Sequence, residues 1–407
     1  MFNWAGNVAY STDRVRVAGS IEEIRAAVRS HDKVKVLGTR HCFNSIADSR
    51  HNFLSLSATG MEIDVQARTV TVDAGVTYGQ LGPYLDAKGF ALHNLASLPH
   101  ISVVGACNTA THGSGESNGN LATAVSGIEM VTADGDVLKL SRGSEDFDGV
   151  VVGLGAMGVI ARVTLDVEPA YPMRQYVYEN LPFDQMRDHF DEIQASGYSV
   201  SLFTDWRDRK VNELWIKCRD PFAAPQEFFG ARLAARNLHP IGEISAENCT
   251  EQMGVEGPWY DRLPHFRMGF TPSAGKELQT EYFVARHHAV EAILAVERLR
   301  DLVSPHLLIS EIRTIAADDL WMSPCYRRDS VAIHFTWKPD WTAVRELLPV
   351  IERELGRFEP RPHWGKLFAM AAGLRYERVR DFCALAARYD PRGKFRNEFL
   401  EANVFGW

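Results

Sequence analysis

Apolar residues in the first 140 positions recur with helical spacing in some segments and as short β-branched runs in others. Ser20 and Glu23 form a capping box around Ile21, and Ile24 and Val28 continue the same helical face. The β-branched runs predict strands. The predicted order is a helix at 21–30, strands at 34–37, 63–65 and 69–74, a helix at 78–88, and a hairpin of 128–132 with 137–140 around an Asp-Gly turn.

A strict alternation of apolar and polar residues follows the glycine-rich sequence GLGAMG at residues 153–158. That sequence matches the GxGxxG fingerprint of dinucleotide sites, in which the glycines open a helix whose N-terminus binds the pyrophosphate. The residues after it, 159–168, instead have a period of two, which predicts a strand. Without a helix N-terminus, a Rossmann-type NAD site is not expected here.

Two prolines, Pro169 and Pro172, interrupt this alternation and mark a domain boundary. From there to about residue 362, strands alternate with amphipathic helices. One helix is predicted at 344–355, where Pro349 would bend or break it. A second helical face is indicated by Val290, Ile293, Leu294 and Leu299, and a last helix by residues 381–388.

Two predicted strands in this second region carry polar residues on one face. Glu311 and Arg313 share a face of the strand at 308–315, and His334 and Thr336 lie opposite an apolar face at 331–337. A solvated sheet face would give the same pattern. Lys366 adds a further basic group beside an aromatic residue, and this mixture of acid, base and hydroxyl suits a site that binds several hydroxyl groups and moves one proton.

Length, charge and cysteine content limit the classes of protein to consider. At 407 residues, two domains are expected. The net charge of −8 without a basic stripe argues against a nucleic-acid partner, and no apolar run approaches the ~18 residues that span a bilayer. The six cysteines form no CxxC pair, and the N-terminal sequence lacks the basic and apolar regions of a signal peptide. We predict a cytoplasmic protein with free thiols and no membrane partner, as a monomer or small homo-oligomer.

The stretch VKVLGTRHCFN, residues 34–44, joins a strand, a glycine turn and a histidine. Gly38 allows a positive φ, so consecutive N–H groups can face one concavity that binds an anion. Thr39 and Arg40 add a hydroxyl and a positive charge. An ordinary strand and turn with a hydrogen-bonded His41 is the alternative from these residues alone.

Residues 96–115, ASLPHISVVGACNTATHGSG, are rich in small polar residues and almost uncharged. Small residues allow a backbone to approach a ligand closely. The apolar content of Ile101, Val103 and Val104 argues against a disordered linker. We therefore predict a long loop that lies along a ligand.

These two stretches, with NWAGN at residues 3–7 and HWGK at residues 363–366, resemble the vanillyl-alcohol-oxidase-type FAD proteins, and most closely the bacterial alditol and xylitol oxidases. The resemblance covers nearly the whole chain. It implies a two-domain α+β fold with an FAD-binding domain at residues 1–170 and a substrate (cap) domain with an antiparallel sheet at 171–370. A C-terminal segment, 371–407, would return to the FAD-binding domain.

The resemblance also implies the cofactor site. In this family the histidine at the position of His41 carries FAD covalently, and no metal is expected. The implied contacts of the cofactor are His41, Val36, Leu37, Gly38, Thr39, Arg40, Cys42, Ser102, Gly105, Thr109, Ala110, Thr111, His112, Gly113 and Ile160.

The implied polyol-binding residues are Ser97, Glu311, Arg313, Thr336 and Lys366, and the implied catalytic residues are Lys366, Arg313 and His334. Lys366 and His334 are alternative candidates for the base. Because Lys366 should lie close to Arg313 in a buried site, the pKa of its ammonium group should be lowered.

The reaction implied by the resemblance is oxidation of the terminal C1 hydroxyl of an alditol such as xylitol or sorbitol, with FAD as hydride acceptor and O2 reduced to H2O2. An aldonolactone oxidase or dehydrogenase of the same fold is the nearer alternative, and Ala96, expected near the flavin, cannot decide between them. The more distant alternative is a non-enzymatic carbohydrate-binding protein.

Overall fold

A computed structural model of the chain describes residues 1–270 and 276–406. Residues 271–275 belong to the predicted second domain and residue 407 to the predicted C-terminal segment, and both lie outside the described residues.

The first region of the chain forms two sheets around the helix Ile21–Ser30. The three-stranded parallel sheet has the order Val15–Ala18, Phe53–Leu56, Lys35–Val36. The five-stranded antiparallel sheet has the order Met61–Asp64, Thr69–Asp73, Val159–Asp166, Val125–Val131, Val137–Ser141. The helix buries Ile24, Ala27 and Val28 against residues of both sheets. Shorter elements complete the region: helices Tyr78–Asp86, Val103–Asn108 and Phe147–Val151, and the strand pair Phe90–Ala91 with Glu168–Pro169.

Most predicted elements of this region are confirmed. The Ser20 hydroxyl accepts a hydrogen bond from the Glu23 amide at 3.2 Å, which caps the first helix as predicted. The hairpin turns at Gly135 with φ +80°, a conformation that glycine adopts without strain. The glycines at 153–158 are followed by the strand Val159–Asp166, so the strand predicted there is confirmed.

Two expectations for this region are wrong in detail. The strand predicted at 34–37 covers only Lys35–Val36, because the Val34 amide donates to Lys394 in the C-terminal segment. The loop predicted at 96–115 contains the helix Val103–Asn108. Its sequence has weak helix propensity, but Val103, Ala106 and Cys107 are buried in the main core, the largest cluster of buried apolar residues in the first region, which also contains Leu81 and Val163. This packing overrides propensity.

The second region forms a ten-stranded, antiparallel sheet within the described residues. Its order is Glu227–Phe228, Ala231–Leu233, Pro172–Pro182, Lys210–Cys218, Ser199–Thr204, Leu307–Ile315, Ser330–Trp337, Leu278–Ala285 and Arg361–Pro362, with Gly257–Pro258 paired to Pro172–Pro182. The sheet begins at the predicted proline boundary. This pairing is the antiparallel sheet predicted for the second domain.

Helices cover one face of this sheet, and the opposite face points toward the first region. They are Phe183–Asp188, Phe190–Gln194, Ala289–Glu297, Arg300–Val303 and Trp341–Leu355. The last of these continues through Pro349 without a break. In Ala289–Glu297 the buried positions include Ile293 and Val296, whereas the predicted Val290 and Leu294 are only partly buried and Leu299 lies beyond the helix.

The C-terminal segment packs against the first region. The helix Val379–Tyr389 buries Phe382 and Leu385 in the core that contains Phe147 and Val150. Asn397 caps the short helix Glu398–Leu400, and its side-chain amide donates to the carbonyl oxygens of residues 45, 46 and 48 at 2.8–3.1 Å. The division into domains at residues 170 and 370, with a returning segment at 371–407, stays a prediction. Among the described residues, no helix is long and apolar enough to cross a membrane.

Candidate active site

A cavity lies between the first region and the uncovered face of the large sheet, and its empty space, including open solvent at the mouth, is about 1640 Å³. Most residues predicted for the cofactor and the substrate line it. From the first region these are Val36, Gly38, Thr39, Arg40, His41, Cys42, Ser97, Ser102, Gly105, Thr109, Thr111 and His112, and from the sheet side Glu311, Arg313, His334, Thr336 and Lys366.

Four predicted cofactor contacts do not reach the wall of this cavity. Leu37 packs with Tyr10 and Phe53, and Ile160 and Ala110 belong to the main core. A side chain at Gly113 would lie 2.4 Å from the Leu95 carbonyl oxygen, so this glycine permits close backbone packing. A direct contact between these residues and the cofactor stays a prediction.

The NWAGN motif fixes the turn that carries His41. The Trp4 amide donates to the Arg40 carbonyl at 2.8 Å, and the side chains of Asn3 and Asn7 donate to the carbonyls of Cys42 and Phe43 at 3.0 and 2.7 Å. The turn needs this support because Arg40 has a positive φ of 64°, which is unfavourable for a residue other than glycine.

His41 stacks on Trp4 with ring centroids 5.5 Å apart. Both ring nitrogens are buried and lack a well-oriented hydrogen-bond partner among the described residues. Burial, with the nearby His100, lowers the pKa of His41 to about 4, so the ring is neutral at neutral pH. A neutral ring with an unpaired nitrogen is suited to bind or react with a group in the cavity.

Small residues bring the helix Val103–Asn108 close to this turn. The Ser102 amide donates to the Thr39 hydroxyl at 3.3 Å, and a side-chain carbon at Gly38 or Gly105 would lie 3.2 or 2.6 Å from the Ser102 hydroxyl oxygen. The close backbone approach and the buried His41 nitrogens, which lack a well-oriented hydrogen-bond partner among the described residues, fit FAD.

The sheet wall is organised around Glu281, which is 1% exposed. Arg313 Nη2 donates to Glu281 Oε1 at 2.7 Å, and Lys366 Nζ lies 2.9 Å from Oε2. His112 Nε2 lies 3.3 Å from Oε1, so the FAD-binding region also contacts this carboxylate. Burial alone would raise the pKa of Glu281, but Lys366, His112 and Arg313 together lower it well below its usual value.

Lys366, His334 and Thr336 form a chain of contacts on the same wall. Lys366 Nζ is 2.7 Å from His334 Nδ1, and His334 Nε2 is 3.0 Å from the Thr336 hydroxyl. Burial lowers the pKa of Lys366, with Glu281 opposing and Arg313 adding to this effect. The predicted direction for Lys366 is therefore confirmed. Burial and Lys366 lower the pKa of His334 to about 4.

Glu311 has its own partners on this wall. His265 Nε2 lies 2.8 Å from Glu311 Oε1, and Arg313 Nε lies 3.5 Å from the same oxygen. Arg313 Nη1 also donates to the Ser97 hydroxyl at 3.4 Å. Despite burial, Arg313 and His265 lower the pKa of Glu311, so the carboxylate is ionised.

The HWGK segment connects the two walls. The Phe43 amide donates to the Gly365 carbonyl at 2.7 Å, and the Asn44 side chain donates to the carbonyls of Trp364 and Lys366 at 2.8 and 2.7 Å. The backbone of Lys366 is thus fixed to the loop that carries His41.

Sequence reasoning missed Glu281, His265 and His363 as lining residues. One signal in the sequence could have identified Glu281, because it is the single acid in the otherwise mostly apolar strand Leu278–Ala285. In the structure it pairs in register with His334. His265 follows an irregular turn whose sequence carries no periodic signal.

Glu281, His112 and His363 offer donor atoms within 4.8 Å of one another. Glu281 is already shared between two cationic side chains, which disfavours a metal ion at this place. That the site holds no metal stays a prediction.

Comparison with known proteins agrees with this architecture. Residues 12–141 match the family described as FAD binding domain, and residues 274–403 match the family described as D-arabinono-1,4-lactone oxidase. A cholesterol oxidase from B. sterolicum has the same fold, with a TM-score of 0.79 at 14% identity over 99% of this chain and 96% of that one. A solvent-stable cholesterol oxidase gives a TM-score of 0.77 at 16% identity over 99% and 97%. The fold and the cavity therefore define an FAD-binding oxidoreductase of the vanillyl-alcohol-oxidase type.

Relatives of similar sequence identify the family within this class of oxidoreductases. An alditol oxidase from a Streptomyces species is 47% identical over 98% of this chain and 97% of its own length. An L-gulonolactone oxidase from Scyliorhinus torazame is 26% identical over 99% and 98%. An L-gulono-1,4-lactone dehydrogenase from Mycobacterium tuberculosis is 27% identical over 98% and 97%. The chain belongs to the alditol oxidase family, with the aldonolactone enzymes as more distant relatives.

Proposed function

We propose that this protein oxidises the terminal C1 hydroxyl of alditols such as xylitol and sorbitol to the aldose, and reduces O2 to H2O2. The alditol loses two electrons and two protons, and O2 gains them. The observation that carries this proposal is the sheet wall, where ionised carboxylates, Arg313, Lys366 and a histidine–threonine pair line one cavity. Such a wall offers a polyol both donors and acceptors.

Bound FAD would supply the two-electron acceptor and the reaction with O2. The chain's own residues bind and orient the alditol and receive its hydroxyl proton. Arg313 stabilises negative charge that develops on the C1 oxygen, and the Lys366 ammonium does so too when His334 is the base. Glu311, Ser97 and Thr336 bind the hydroxyl groups. The lowered pKa of Lys366 and its 2.7 Å contact with His334 Nδ1 support these two residues as the alternative candidates for the base that takes up the proton.

The proposal includes a covalent bond between His41 and FAD. Its support is the neutral, buried imidazole without a well-oriented hydrogen-bond partner and the family resemblance of the loop. The six free cysteines support the proposed cytoplasmic location.

An oxygen-electrode comparison of xylitol, sorbitol and L-gulono-1,4-lactone tests the proposed function. We expect rapid O2 consumption with the alditols, and catalase should return about half of that O2 by dismutation of the peroxide. A clear preference for the lactone would favour an aldonolactone oxidoreductase, the alternative that the relatives of lower sequence identity support. Reduction of the flavin by an alditol without O2 consumption would indicate a dehydrogenase.

A further inference from the structure

His265 occupies a buried position between the wall of the cavity and the aromatic core behind it. The residue is 5% exposed, and its ring lies edge-on to Phe203 and Trp215 with centroids 5.5 and 5.1 Å away. Within the part of the chain that the structure describes, the imidazole ring makes one polar contact, between its Nε2 and Glu311 Oε1 at 2.8 Å.

The contacts fix the direction of this hydrogen bond. Burial, with the nearby Lys217 side chain, lowers the pKa of His265 to about 4, so the ring carries one proton at neutral pH. Glu311 is ionised and can only accept. The proton therefore lies on Nε2. The other ring nitrogen, Nδ1, is unprotonated and has no hydrogen-bond partner among the described residues.

This arrangement uses one oxygen of Glu311 and leaves the other free. Oε1 is held by His265 at 2.8 Å and by Arg313 Nε at 3.5 Å. No residue in 1–270 or 276–406 donates a hydrogen bond to Oε2, although Glu311 lines the cavity. A carboxylate oxygen in this state is ready to accept a hydrogen bond from a hydroxyl group.

The turn that carries His265 is itself fixed on both sides. The amides of His265 and Phe266 donate to the Ser97 carbonyl at 3.1 and 3.2 Å. Lys217 Nζ donates to the carbonyls of residues 262, 263 and 264 at 2.6–3.0 Å. Ser97, Arg313, Glu311 and His265 thus form a closed ring of contacts between the two domains.

We propose that His265 is a positioning residue that clamps Oε1 of Glu311, so that Oε2 is presented to a substrate hydroxyl group. His265 then acts on polyol binding through Glu311 and does not itself touch the reacting atoms. The inference rests on the proposed function, because it gives Glu311 an alditol as its ligand.

Two substitutions separate the hydrogen bond from the bulk of the ring. His265→Phe keeps a ring and removes the donor, and we expect kcat/KM for xylitol to fall about 10- to 100-fold, mainly through KM, as for a hydrogen bond to a charged group. His265→Gln offers a side-chain amide near the position of Nε2 and should recover most of the loss. Equal losses in both variants, or no loss in either, would overturn the assignment.

A double-mutant cycle tests whether His265 acts through Glu311. In a Glu311→Ala background, His265→Phe should change kcat/KM less than twofold, because the group that it positions is absent. His239→Phe is the matched control: this buried histidine lines the same cavity, and its Nδ1 accepts from the Ile241 amide at 3.0 Å. Its effect should be the same with and without Glu311→Ala. A full His265→Phe effect in the absence of Glu311 would show a merely structural role.

Whether the unmodified protein oxidises an alditol distinguishes a failure of this inference from a failure of the proposed function. Oxidation of xylitol with no coupling between residues 265 and 311 would overturn only the role of His265. An unmodified protein that oxidises no alditol would overturn the proposed function and the positioning role together. The flavin absorbance spectrum and the thermal midpoint of each variant establish that the comparison is made between folded holoenzymes.

Discussion

The wall of the cavity near His41 and the wall around Glu281 differ in how they meet a ligand. The first depends on backbone shape: the strained Arg40, small residues such as Gly38 and Gly105, and a neutral histidine. The second consists of ionised groups that neutralise one another, with Glu281 shared by Arg313 and Lys366. A change on the first wall should therefore affect the fit of the cofactor, whereas a change on the second should spread through the charged network.

The sharpest test of the first wall is the His41→Ala variant. After acid precipitation, the yellow colour of the unmodified protein should stay in the pellet, and the variant should release all of it to the supernatant. His51→Ala, at an exposed histidine in the same region, serves as the control and should retain the colour. Free flavin from the unmodified protein would contradict the covalent bond while leaving FAD binding intact.

On the second wall, the largest effect is expected for Lys366→Met. Loss of a group that acts in the transition state should slow flavin reduction by xylitol by about two to four orders of magnitude, while the spectrum of the oxidised flavin stays normal. Anaerobic stopped-flow spectroscopy measures this rate. A rate within about tenfold of the parent would remove Lys366 from the catalytic set and leave His334 as the base to test.

Glu281→Gln tests whether the charges of the second wall depend on one another. Removing one partner of a buried ion pair should lower the free energy of unfolding by about 3–5 kcal/mol. Since Glu281 raises the pKa of Lys366, the limb of the pH–rate profile that reports Lys366 should also move to lower pH. Both changes are measurable, by urea denaturation and by steady-state kinetics.

Glu213→Gln is the matched control for that substitution. Glu213 is also buried, but burial raises its pKa to about 8, so it is mostly protonated at neutral pH and a glutamine replaces it with little change of charge. Its free energy of unfolding at pH 7 should change far less than that of Glu281→Gln. Equal losses would mean that the charge of Glu281 has no special role.

The buried histidines of the second wall should make the protein sensitive to mild acid. The folded-state pKa of His265 is about 4, below the unfolded value of about 6.5, so the unfolded state takes up the extra proton as the pH falls between these values. Stability is therefore lost as the pH falls through this window, by about 2 kcal/mol for one histidine between pH 7 and pH 5.

The His265→Phe variant isolates this contribution, because Glu213 and Asp318, with raised pKa values of about 8 and 6, act in the opposite direction in the whole protein. Denaturation at pH 7 and pH 5 should show a smaller acid loss for the variant than for the parent, by about 2 kcal/mol. An identical pH dependence in the two proteins would contradict the lowered pKa.

The smallest effect is expected for Thr336→Val. One hydrogen bond between neutral groups is worth about 0.5–1.5 kcal/mol, so kcat/KM for xylitol should fall about tenfold or less, chiefly through weaker binding. Steady-state kinetics with xylitol gives the value. Unchanged kinetics would remove Thr336 from the substrate site.

The same contrast explains what the sequence could reveal. Glu311, Arg313, His334 and Thr336 were found because strand alternation is local, and a period of two assigns each residue to a face. Glu281 was missed as the centre of the network because its main partner, Lys366, is distant in sequence and reaches it only through the fold. The six-residue helix Val103–Asn108 was missed for a related reason, since burial and not helix propensity stabilises it.

The hydrogen bonds from Phe43 and Asn44 to the HWGK backbone have a consequence for the alignment of cofactor and base. His41 and Lys366 are distant in sequence, yet their backbones are joined across this short junction. Three hydrogen bonds to main-chain carbonyls therefore set the spacing between the loop that carries the cofactor histidine and the segment that carries the candidate base.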